Sequence, residues 1–124
     1  MYKRPVYLNL FRLHLPLMGW VSILHRVTGV LLFLVLPICL YLLQHSLTGR
    51  DGYAEASAIL DHPLARALTL LAVVSLAHHT FAGLRHLALD LHCGVEKNLA
   101  RLSARLVLVL SLLAALVAGW RLFL

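Results

Sequence analysis

Charge is scarce in this chain and absent from three long stretches of it. Asp, Glu, Lys and Arg make up only 13% of its 124 residues, against 61% hydrophobic residues and a mean hydropathy of +0.87. A soluble domain of this size needs a charged surface, so that class is excluded. The missing charges define three windows, at 27–49, 67–84 and 106–120, with Arg121 free to snorkel beyond the last. A hydrocarbon core of ~30 Å takes roughly 20 residues of helix. The first window exceeds that length, the second comes close to it and the third is the shortest. The expected fold class is an all-α membrane protein with three transmembrane helices, at about residues 20–47, 64–91 and 99–123.

Other absences narrow the reading. There are only two cysteines, Cys39 in an apolar window and Cys93 in a loop, so no disulfide is expected. No repeat or low-complexity tract interrupts the chain, which reads as one domain over residues 1–124. Asn9, Arg12, His14 and Pro16 break up the start, and no small-residue cleavage site follows, so a secretory signal is not expected there. Residues 1–19 read instead as an amphipathic interfacial segment with Tyr7, Leu8, Leu10, Phe11 and Leu13 as its apolar contacts. Pro37 should kink the first helix, and a short surface helix is expected around 53–60.

The net charge of +6 is unevenly spread. Residues 1–26 hold Lys3, Arg4, Arg12 and Arg26 with no acid. The first loop region carries Arg50 and Arg66 against Asp51, Glu55 and Asp61. The second carries Arg85, Lys97, Arg101 and Arg105 against Asp90 and Glu96. Cationic and near-neutral loops alternate, as the positive-inside rule requires. The N-terminus and the 91–105 loop are expected to face the cytoplasm, and the surrounding lipid, not nucleic acid, is the expected partner of the basic residues.

Against that apolar background two polar clusters stand out. Ser22, His25, Arg26 and Gly29 fall at i, i+3, i+4 and i+7, one face of the first helix. His79, Gly83 and His86 fall at i, i+4 and i+7 of the second, with His78 and Arg85 beside them. Ionisable groups inside a span are costly and mark function. Histidine, arginine and glycine together supply what an iron porphyrin needs: an axial nitrogen, cations for its propionates and room for a flat ring. His79 is the candidate axial ligand; His25, Arg26, Gly83, Arg85 and His86 are the candidate haem and propionate contacts. The plainer reading of the same histidines is polar glue between helices. Without a C-x-x-C-H sequence the haem would be non-covalent. Ser22 and Arg26 also suit a quinone carbonyl and the negative charge that develops on it, while serving equally well as a helix cap and an anchoring cation.

Depth decides whether one chain suffices. Counting back from Asp90 at ~1.5 Å per residue, His79 lies ~16 Å inside the boundary and His86 ~6 Å. Apart from the adjacent His78 on the same helix, no other histidine reaches the depth of His79, and two ligands on one helix cannot clasp a ring from both sides. A six-coordinate iron would need a histidine from a partner chain.

Four stretches carry a family resemblance: Arg4-Pro5-Val6-Tyr7-Leu8-Asn9-Leu10, Ser22-Ile23-Leu24-His25-Arg26-Val27-Thr28-Gly29, Ala56-Ser57-Ala58-Ile59, and His79-x3-Gly83-Leu84-Arg85-His86-x3-Asp90. Together they resemble the cytochrome b membrane-anchor subunit of bacterial succinate dehydrogenase, nearly end to end. The resemblance implies half of a heterodimeric haem-binding anchor bundle. It pairs with a second hydrophobic anchor subunit supplying the other ligand to haem b, and holds the iron–sulfur and flavoprotein subunits to the bacterial inner membrane. By position, His79 matches the axial ligand, His25 and Arg26 the propionate contacts, and Ser22 and Arg26 the ubiquinone site. The subunit would not be catalytic alone but would serve electron transfer from succinate to ubiquinone in the respiratory chain and tricarboxylic acid cycle. A fumarate reductase-type anchor and a small haem-free transport or scaffold protein are the alternatives.

Overall fold

The computed structural model describes residues 15–124. The charges and apolar contacts expected over 1–14, including the Arg4–Leu10 stretch, lie outside the described residues. Four helices follow in order: α1 (Leu17–Ser46), α2 (Arg50–Asp61), α3 (Pro63–Asp90) and α4 (Lys97–Phe123). There is no strand among the described residues. α1, α3 and α4 are each long and apolar enough to cross a membrane, which bears out the all-α class and the three spans.

Local chemistry sets the boundaries. Pro16, with φ −63° and ψ 156°, opens α1, and its carbonyl accepts from Gly19 and Trp20. α1 then continues through Pro37 without a break to Ser46. Pro63 sits at the first turn of α3, where its missing N–H costs nothing, and His62 Nδ1 accepts from the Leu64 amide at 3.3 Å. α3 ends in a turn in which His92 (φ 59°) and Gly94 (φ 74°) both take the left-handed conformation, and the Cys93 amide reaches back to the Ala88 carbonyl.

The short α2 rests on the end of α1. Gly52 lies so close to the His45 carbonyl and the Thr48 hydroxyl that any side chain there would overlap both. His45 Nε2 meets Glu55 at 2.8 Å across the same contact. Arg66, at the start of α3, bonds Asp61 at 3.0 Å and the Leu122 carbonyl at 3.3 Å, joining α2, α3 and the end of α4.

The bundle is built around α3, which packs most extensively on α4 and next on α1. Its α4 side is a stripe of Ser75, His78, Ala82 and Arg85, all buried. The facing stripe on α4 is Ala100, Ala104, Val107 and Ser111. Small residues let the two backbones approach, the usual way helices associate where hydrophobic burial gives no drive. Val21, Ala82, Ala104 and Val107 form the core, with Met18, Phe81 and Leu108 against it. The large apolar side chains point outward: Phe33, Tyr41, Leu84, Leu116 and Val117 are all more than half exposed. Such a surface is stable only in lipid or under a partner.

Candidate functional site

The two polar clusters meet where α1 crosses α3. His79 comes from the α1 side of α3, together with Gly83 and His86. Ser22, His25, Arg26 and Gly29 come from one face of α1. The His25 and His79 rings stack with centroids 4.1 Å apart and planes 10° from parallel, and the His86 ring meets His25 edge-on at 5.1 Å. Three imidazoles therefore share one site. All three are half-buried, on a flank of the bundle that the described residues cover only in part.

One hydrogen bond fixes the chemistry of His79. Its Nδ1 lies 3.0 Å from the backbone carbonyl of His25. A carbonyl oxygen only accepts, so Nδ1 must carry a proton, and in the neutral ring Nε2 is then the nitrogen that keeps its lone pair. Nε2 has no hydrogen-bond partner among the described residues. An imidazole whose outer N–H is tied to a backbone carbonyl while its other nitrogen stays bare is the arrangement of a metal-ligating histidine.

Two glycines flank the contact, one on each helix. A Cβ at Gly29 would sit 3.0 Å from His79 Cε1 and 3.4 Å from its Nδ1. A Cβ at Gly83 would sit 3.4 Å from His25 Nε2. Each helix thus presents bare backbone to the histidine of the other. Gly83, expected to leave room for a flat ring, here leaves room for His25.

The remaining predicted residues fall in two directions. Ser22 is half-buried and Arg26 exposed, on the same face of α1 as His25. Arg26 makes no ion pair among the described residues, where the two pairs are His45–Glu55 and Arg66–Asp61. Arg85 does not join this group. It is 8% exposed and turned to α4, where Nε donates to Ser103 Oγ at 3.0 Å and Nη2 to the Ala100 carbonyl at 3.2 Å. His78 turns the same way. The Ser111 hydroxyl donates to the Val107 carbonyl at 2.7 Å, so its oxygen accepts from His78 Nδ1 at 3.2 Å. His78 Nε2 is buried with no partner among the described residues.

Sequence reasoning assigned no separate role to Gly29, Ser103 or Ser111. For the α4 contacts the signal was nevertheless present as helical phase. His78 and Arg85 stand at i and i+7, close to two full turns, so they share a face distinct from that of His79 and His86.

A family model described as "Succinate dehydrogenase/Fumarate reductase transmembrane subunit" matches residues 1–118. The chain belongs to this family. It is a multi-pass membrane protein, a membrane anchor subunit of a succinate dehydrogenase complex. Among its relatives is the succinate dehydrogenase cytochrome b556 subunit of Coxiella burnetii (strain RSA 493 / Nine Mile phase I), 37% identical over 118 residues that cover 94% of each chain. The family places the polar site in an anchor whose apolar flanks expect neighbours.

Proposed function

We propose that this subunit holds a b-type haem together with a second hydrophobic anchor subunit, and forms part of the site at which ubiquinone is reduced. The observation that carries the reading is the half-buried His79 imidazole, with Nδ1–H committed to the His25 carbonyl and Nε2 without a hydrogen-bond partner among the described residues. Imidazoles left facing lipid at that depth would be expensive. A partner that covers them and a metal that takes the free nitrogen remove that cost together. The residues present fit the group: a neutral imidazole as ligand, and Arg26, His25 and His86 as cationic or hydrogen-bonding neighbours for carboxylates. Arg85 would join those neighbours only by releasing Ser103 and Ala100, while Gly83 serves through the space it leaves for His25.

When bound, the haem supplies a one-electron carrier within the membrane. This chain's own work is to keep the proton on His79 Nδ1 and to hold that ring against His25. At the cytoplasmic end, Ser22 and Arg26 hydrogen-bond a quinone carbonyl, and the guanidinium stabilises the negative charge that grows there on reduction. We place the N-terminus in the cytoplasm and the subunit in a bacterial inner membrane, where the iron–sulfur and flavoprotein subunits dock on the same side as this site. The cationic, acid-free stretch from the N-terminus to Arg26 supports that orientation.

The test is a reduced-minus-oxidised difference spectrum of the affinity-purified complex, with its companion subunits identified. The unsubstituted complex should show a b-type haem band with flavoprotein and iron–sulfur subunits present. His79→Ala should lose or shift that band while the companions remain. An identical spectrum in the variant would remove the ligand assignment.

A further inference from the structure

We propose that Gly29 seats the His79 imidazole and sets the direction of its Nε2 nitrogen, so that a residue of α1 positions the ligand carried by α3. This rests on the haem reading above and goes beyond it to a positioning residue.

α1 acts on the His79 ring at two points one turn apart. The His25 carbonyl anchors Nδ1 at 3.0 Å, and the bare Cα of Gly29 lets the Cε1 edge close onto the helix. Cε1 is bonded to both ring nitrogens. With Nδ1 held, the ring's remaining freedom is a swing about that hydrogen bond, and the stacked His25 ring covers one face. A methyl at position 29 would begin 3.0 Å from Cε1, tighter than nearly all real contacts, so the ring must yield by a few tenths of an ångström. Because Nε2 adjoins Cε1, it moves as well. Gly119 of α4 provides a control, because a methyl added there would meet nothing within 4 Å.

The experiment uses the assembled complex with Gly29→Ala, Gly119→Ala and His79→Ala. It reads the electron paramagnetic resonance g values of the ferric haem, the haem midpoint potential, and flavoprotein content as a check on assembly. Gly29→Ala should keep its companions yet shift the largest g value and the potential, while Gly119→Ala shifts neither. Equal shifts in both glycine variants, or none with Gly29→Ala, would overturn the assignment. A haem signal unchanged by His79→Ala would strike the ligand reading itself. Should Gly29→Ala fail to assemble, the double variant Gly29→Ala/His79→Ala decides: recovery of the flavoprotein supports a clash with the His79 ring, and continued failure refutes it.

Discussion

Replacing Arg85 with leucine separates two roles that neighbouring sequence positions confuse. The guanidinium makes two hydrogen bonds to α4, to Ser103 Oγ and the Ala100 carbonyl. Bonds to a charged group contribute ~1.5–3 kcal/mol each, so the gross loss is ~3–6 kcal/mol. Two facts reduce it. Ser103 Oγ already donates to the Ala100 carbonyl at 3.1 Å, so neither partner is orphaned when arginine is removed. A buried cation without a carboxylate also carries a desolvation penalty of several kcal/mol, which leucine does not. The net cost should be roughly 1–2 kcal/mol by these terms. Ser103→Ala should cost about as much, ~1–3 kcal/mol, because it leaves the buried Nε–H unpaired. The assay is thermal unfolding of the purified complex beside a redox titration of its haem. Arg85→Leu should lower thermal stability modestly and leave the haem potential in place. A displaced potential with unchanged unfolding would refute the clasp and put the guanidinium at the propionates.

The same geometry fixes three other outcomes. His79→Ala should abolish or alter the haem band in the difference spectrum while the flavoprotein still co-purifies. Arg26→Leu should lower quinone reductase activity by about ten- to a hundredfold, the worth of one charge-assisted hydrogen bond, with dye-linked succinate oxidation preserved; parallel loss of both activities would point to assembly instead. Ser111→Ala should destabilise the complex by ~1–3 kcal/mol because it leaves His78 Nδ1–H buried and unpaired. Adding His78→Leu to that variant should restore most of the loss, and a double variant no better than the single one would contradict the pairing.

The two sides of α3 explain what was readable in advance and what was not. The spans follow from the charge-free windows at 27–49, 67–84 and 106–120, because an apolar helix of that extent has only lipid in which to place its side chains. The residue content of each polar cluster follows from helical spacing, but their meeting is set by how α1 packs on α3. Arg85 is different. Chain proximity groups it with His86, yet one residue turns a helix by about 100°, enough to give adjacent side chains different neighbours. His78 and His79 part company for the same reason, one to Ser111 and the other to the His25 carbonyl.

By itself, then, the order of residues determined an all-helical membrane anchor, the extent of its three spans and the identity of its polar faces, because hydropathy and helical period are local properties. Only the packed bundle decided which face meets which helix. It gave His79 its tautomer through the His25 carbonyl, turned Arg85 toward Ser103 and set Gly29 of α1 against an imidazole carried by α3. Those choices depend on how closely two backbones approach, and that distance is set by the small residues of both helices together.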